Sequence, residues 1–176
     1  MKFDSTEKID FYLPKVQSFI DEVVMPVELD ILKQDIPVDK RWEPHPEIED
    51  LKKEARDRGL WNLFLPDSDY GAGLTNYEYA HLAEAMGRTH FASEAMNCSA
   101  PDTGNMEVLV RYGSKEQQDQ WLKPLLNGEI RSAFGMTEPQ VASSDATNME
   151  ATAELVDGQW VITVSYTHLT LPTNRE

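Results

Sequence analysis

The hydrophobic pattern of this chain changes period once, near Gly128, and that change restricts the architecture more than any other feature. Up to Gly128, apolar residues recur at steps of three and four between helix caps and helix stops. Beyond it, short apolar runs flank a tight-turn dipeptide. The first period belongs to helices that bury one face, the second to strands. A mainly α fold follows, with a helical domain over residues 1–128 and the opening strands of a β domain over 129–163.

Each helix carries local punctuation. Val16, Ile20, Val23 and Val27 form one stripe, with Pro14 suited to a first turn. Ile9 and Leu13 extend that stripe upstream, so Asp4 or Ser5 is the candidate cap of an earlier start, and Pro26 predicts a kink. Residues 34–46 read as a Pro-rich loop. Pro46 to Arg58 reads as a helix burying Ile48, Leu51 and Ala55, stopped by Gly59. Thr75 with Glu78 makes a capping box for a helix reaching Met86. Thr103 to Tyr112 is the next helix, and Ser114 with Gln117 is a second capping box, whose helix ends at Gly128. Arg131 to Met136 then reads as a buried strand. Met149–Val156 and Gln159–Val164 flank Asp157-Gly158, a two-residue hairpin signal.

Charge and composition exclude some functions. A formal net charge of −15 over 176 residues argues against nucleic acid and against an anionic membrane surface. No apolar run reaches the ~18–20 residues of a membrane span, and the N-terminus lacks the apolar core of a signal peptide, so a cytoplasmic location is expected. Cys98 is the single cysteine, which rules out an internal disulfide and reads as a structural thiol. The histidines show no metal-ligand spacing, and no metal site is expected. Gly71-Ala72-Gly73 lacks the third glycine and the strand–turn–helix setting of a nucleotide fingerprint, and reads as loop glycines.

The chemically informative stretch is Phe134-Gly-Met-Thr-Glu-Pro-Gln-Val-Ala-Ser-Ser-Asp145. It leaves the expected strand and enters a polar loop, where Glu138-Pro139 imposes an extended or turned backbone. Ser143, Ser144 and Asp145 offer side-chain oxygens, and their amides can form an anion nest. On the residues alone, a ligand loop and an ordinary Ser-rich surface turn both stay open, the second being the commoner.

This stretch resembles the aromatic–x–x–Thr-Glu-Pro signature, followed by Ser-Asp, of the acyl-CoA dehydrogenases. Tyr112-Gly-Ser-Lys-Glu-Gln-Gln118 with Trp121-Leu-Lys-Pro-Leu125 is similar to another of that family's segments, and so is Leu65-Pro66 followed by Tyr70-Gly-Ala-Gly-Leu74. Ala100-Pro-Asp-Thr-Gly-Asn-Met-Glu107 resembles a branch whose larger eukaryotic members join the dehydrogenase to a kinase-like domain. The resemblance implies FAD as cofactor, with Phe134, Met136, Thr137, Ser143 and Ser144 as its contacts and Phe134 and Ser144 also facing substrate. One extra residue between Pro139 and the Ser-Asp pair leaves open which of Ser143 and Ser144 takes which role. It implies an acyl-CoA substrate, dehydrogenated to the trans-2-enoyl thioester in β-oxidation, an electron-transfer flavoprotein as acceptor, and a homodimer or homotetramer. The catalytic base is expected from a C-terminal domain outside this chain rather than from Glu138, so the chain alone is expected to be inactive. Residues 93–107 are expected near the acyl end, with the small residues Ala95, Ser99 and Ala100 leaving room for it. Residues 164–176 match nothing in the family and read as a non-native tail. Acyl-CoA oxidases and flavin monooxygenases share the fold and remain alternatives, as does a non-enzymatic helical interaction module.

Overall fold

The computed structural model describes residues 4–40, 43–135, 138–142 and 144–163. The chain forms two compact units, Met1–Ala133 and Phe134–Glu176.

In the first unit, α1 (Glu7–Phe19) starts at Thr6, whose side chain accepts the Ile9 amide at 3.3 Å. The cap is therefore neither Asp4 nor Ser5; the Ser5 hydroxyl donates to Asp10 instead. Pro14 lies inside α1 rather than in its first turn. The helix then widens into one π-helical turn, Ile20–Val24, before continuing as α2 (Met25–Lys33) with Pro26 in its first turn. A proline ring clashes with the carbonyl four residues earlier, and a wide turn relieves that clash without breaking the helix. The same device recurs later, where a π-helical turn at Gln118–Leu122 precedes Pro124.

Next, α3 (Pro46–Asp57) buries Leu51 and Ala55. The helix α4 (Asn76–Met86) carries the expected capping box between Thr75 and Glu78. Thr6 also donates to Glu78 at 2.9 Å, so one carboxylate joins the starts of α1 and α4, which pack together. A single turn, α5 (Ala92–Ala95), was not foreseen. It is followed by α6 (Asp102–Tyr112), by the short α7 (Lys115–Gln117) with its Ser114–Gln117 capping box, and by α8 (Lys123–Leu126). The core is built from fully buried Phe19, Ile20, Leu60, Leu63, Leu82, Met96, Met106 and Leu122. Each such side chain contributes about 1.5–3 kcal/mol relative to leaving it exposed.

The expected strand at Arg131–Met136 does not form over its described residues, 131–135, which are irregular and largely exposed. A buried strand needs neighbours on its ladder. In the second unit, β1 (Thr152–Val156) pairs antiparallel with β2 (Gln159–Thr163), Leu155 opposite Trp160, and these two form the whole described sheet. The Asp157-Gly158 turn has φ of 49° and 80°, the left-handed pair that a tight hairpin requires. Among the described residues no helix is long and apolar enough to cross a membrane.

Candidate functional site

Of the five positions expected to face flavin, the structure describes two. Phe134 is 66% exposed and Ser144 is exposed. Met136, Thr137 and Ser143 lie outside the described residues. Between them stands Glu138, which is only 6% exposed. Its carboxylate accepts the Glu150 amide at 3.0 Å and the Ala151 amide at 3.1 Å. Both oxygens thus hold backbone, and the loop from 138 to 151 is closed across its base. Within it, the Asp145 carboxylate accepts the Thr147 hydroxyl at 2.7 Å and the Thr147 amide at 3.0 Å. Those two bonds, the hydroxyl's foremost, hold the Asp145 carboxyl below its usual range. Ser144 and Asp145 thus lie in a folded polar turn, both exposed.

Immediately before Phe134, in the helical unit, a polar clamp takes the place of the expected strand. Asp102, in the first turn of α6, is 3% exposed. One of its oxygens accepts the Ser132 amide at 2.7 Å and the Ser132 hydroxyl at 2.5 Å, and the other accepts Nε of Arg131 at 2.8 Å. The remaining guanidinium nitrogens of Arg131 donate to the two carboxylate oxygens of Glu94. Glu94 also pairs with Lys52 at 2.9 Å, and Lys52, 6% exposed, reaches Glu49 at 2.7 Å. From the other side, Asn105 Nδ2 donates to the Ser132 hydroxyl at 2.8 Å. Asp102 lies within the Ala100–Glu107 segment that carried the family resemblance, but its partners come 29 and 30 residues later, and no local pattern announces them.

Arg131, Glu94 and Lys52 also line an open groove of about 750 Å³, together with the apolar Ile31, Ile48 and Phe91. Of the small residues expected near an acyl chain, Ala95 is packed into the core, Ser99 is half-buried and Ala100 is exposed. Cys98 is buried and donates to the Met96 carbonyl at 3.3 Å. Burial pushes its thiol up to about 11 and also raises the neighbouring Tyr79 phenol. No group of three His, Cys, Asp or Glu side chains among the described residues is arranged to hold a metal ion.

Residues 6–129 match the acyl-CoA dehydrogenase N-terminal domain. The chain is 59% identical over 149 residues to acyl-CoA dehydrogenase family member 10 of Mus musculus, covering 82% of this chain and 14% of that protein. It is 48% identical over 166 residues to probable acyl-CoA dehydrogenase FadE2 of Mycobacterium tuberculosis, covering 92% of this chain and 40% of that protein. A solved Mycobacterium abscessus structure assigned to the acyl-CoA dehydrogenases superposes with a TM-score of 0.85 at 51% identity, over 92% of this chain and 42% of that one. The chain thus spans less than half the length of each of these relatives. The family model covers residues 6–129, more than half of the chain, and the chain belongs to the acyl-CoA dehydrogenase family.

Proposed function

We propose that this chain provides the helical domain and the flavin-facing loop of an FAD-dependent acyl-CoA dehydrogenase that converts an acyl-CoA to its trans-2-enoyl-CoA. One observation carries the reading. The buried carboxylate of the loop, Glu138, is turned onto the Glu150 and Ala151 amides, while Phe134 and Ser144 are exposed. FAD and acyl-CoA are both anionic; an exposed aromatic ring and an exposed hydroxyl suit them, and the neighbouring Asp145 carboxylate is engaged by the Thr147 hydroxyl and amide. The described residues fit the cofactor.

When bound, FAD supplies the two-electron acceptor for α,β-dehydrogenation. This chain's part is to bind and orient. Phe134 offers a ring face and Ser144 a hydroxyl and an amide, and the Glu138 bonds close the loop that carries Ser144, which favours reaction by reducing what must be ordered later. Glu138 is not the base, because both its oxygens are spent on backbone. The carboxylate that removes the α-proton belongs to another part of the full-length protein. The 176-residue chain alone therefore turns over no acyl-CoA. An electron-transfer flavoprotein as acceptor, a homo-oligomeric assembly and a cytoplasmic location complete the proposal.

The test is purification of the full-length protein, a flavin absorbance spectrum, and an acyl-CoA panel assayed with an electron-transfer flavoprotein and with oxygen in parallel. Stoichiometric FAD and enoyl-CoA formation that depends on the flavoprotein are expected. Protein without flavin, or turnover driven by oxygen alone, overturns the reading.

A further inference from the structure

We propose that Asp102 and Arg131 are positioning residues for the flavin loop: their clamp fixes the backbone at Ser132, two residues before Phe134. The inference rests on the functional reading above, since it assigns a role at the same site.

The position of residues 131–133 is decided by polar bonds. Arg131 and Ala133 are exposed and Ser132 is half-buried, so apolar packing holds little of this segment. Hydrogen bonds are directional where hydrophobic contacts are not. Asp102 supplies three of them to two consecutive residues, and Asn105 adds a fourth through the Ser132 hydroxyl. Every group that meets the Asp102 carboxylate is a donor: the Ser132 amide, the Ser132 hydroxyl and the Arg131 guanidinium. The hydroxyl's proton is committed to Asp102 because its oxygen accepts from Asn105. Only an acceptor at both ends satisfies this arrangement, and among side chains of that length only aspartate provides it.

Each buried charge of the clamp has an opposite partner. Asp102, Glu94 and Glu49 face Arg131 and Lys52, and the direct pairing of each buried charge with an opposite one offsets the cost of burying Asp102 and Lys52. The first turn of α6 further favours the Asp102 carboxylate. Arg131 is the joint, since its fork reaches Glu94 on α5 and Asp102 on α6 at once. Lysine has no such fork, so Arg131→Lys keeps the charge and loses one arm.

In Asp102→Asn, the amide end meets a donor at Ser132 or at Arg131, so one arm of the clamp becomes repulsive. The experiment uses the full-length protein with Asp102→Asn, Arg131→Lys and the milder Asn105→Ala, and with Lys115→Ala as a surface control. Three quantities are read: amide hydrogen exchange over residues 132–135 without FAD, the dissociation constant of FAD from flavin fluorescence, and kcat separately from KM. The expected result for Asp102→Asn is exchange at least about tenfold faster in 132–135 with the α1–α4 core unchanged, FAD bound about tenfold more weakly, and kcat reduced by up to about 100-fold, the scale of a misplacement near 1 Å. Arg131→Lys and Asn105→Ala should follow in the same order with smaller effects, and they decide the matter if Asp102→Asn fails to fold. Unchanged exchange in folded variants overturns the clamp. Faster exchange with FAD affinity and kcat within about twofold of the parent overturns its positioning role. Parent protein that binds no FAD overturns the functional reading itself, while the exchange arm still decides whether the clamp anchors the segment.

Discussion

Asn62 and Asn97 form a pair: both hold left-handed backbone, with φ of 56° and 53°, and Asn97 Nδ2 donates to Asn62 Oδ1 at 2.7 Å. Both then donate to the end of α8, Asn62 to the Leu126 carbonyl at 3.0 Å and Asn97 to the Leu125 carbonyl at 3.1 Å. Trp61 Nε1 reaches the same Leu126 carbonyl at 2.7 Å. A helix end leaves carbonyls without intrahelical partners, and side chains from two distant loops satisfy them here. Asparagine suits both positions because it tolerates positive φ and carries an amide.

Asn62→Ala should therefore destabilise the protein by about 2–5 kcal/mol, from two lost hydrogen bonds at about 0.5–1.5 kcal/mol each and about 1–2 kcal/mol of left-handed strain. Asn62→Gly removes the strain and keeps the loss of bonds, so it should recover about 1 kcal/mol relative to alanine. Urea denaturation midpoints of the two variants check this, and equal midpoints would exclude the backbone contribution.

Glu78 gives a pH dependence with a definite sign. The Thr75 amide, above all, and the Thr6 hydroxyl hold its carboxyl below the ordinary range. A carboxyl depressed in the folded state contributes stability that is present above its unfolded value near 4.3 and is lost as pH falls through the lower folded value. Melting temperature measured from pH 7 downward should fall below about pH 4.5, and Glu78→Gln should flatten that fall. Thr75→Ala, which removes the cap from the other side, should cost about 1 kcal/mol at neutral pH.

Cys98 should be inert while the protein is folded. Its thiol is buried and pushed up to about 11. At pH 8 the thiolate fraction is then lower by a factor of roughly 100 than for a free thiol near 8.5. Reaction with an aromatic disulfide reagent should be at least about 100-fold slower in native buffer than in denaturant. The linkage has the opposite sign from Glu78: the buried neutral thiol contributes stability below about pH 8.5, lost as pH rises toward 11. Rapid native labelling would mean that the Cys98 site opens locally.

Glu138 distinguishes a structural from a catalytic carboxylate. Glu138→Ala leaves the Glu150 and Ala151 amides without their acceptor and should cost about 1–3 kcal/mol locally. Hydrogen exchange at those two amides reads the loss directly. Glu138→Gln keeps one acceptor, so in the full-length enzyme it should lower kcat by less than about tenfold, whereas removal of a true general base costs about 100-fold or more. Abolished turnover in Glu138→Gln with normal exchange at 150 and 151 would make Glu138 the base.

What the sequence determined by itself was local. The Thr75–Glu78 and Ser114–Gln117 boxes, the stop after Met86 and the Asp157-Gly158 hairpin all involve residues within three or four positions, where backbone geometry and side-chain reach suffice. Tertiary structure decided the rest. Thr6 rather than Asp4 or Ser5 caps α1, and it also meets Glu78, 72 residues away. Pro26 and Pro124 are absorbed by wide turns rather than ending helices. Arg131 starts no strand, because Asp102 and Glu94, 29 and 37 residues earlier, offer its guanidinium carboxylates that no neighbouring strand competes for among the described residues. Charged groups that pair across such separations leave no periodicity in the sequence. Their placement becomes visible only when the fold brings Glu94 and Asp102 to the same guanidinium and burial makes each unsatisfied donor costly.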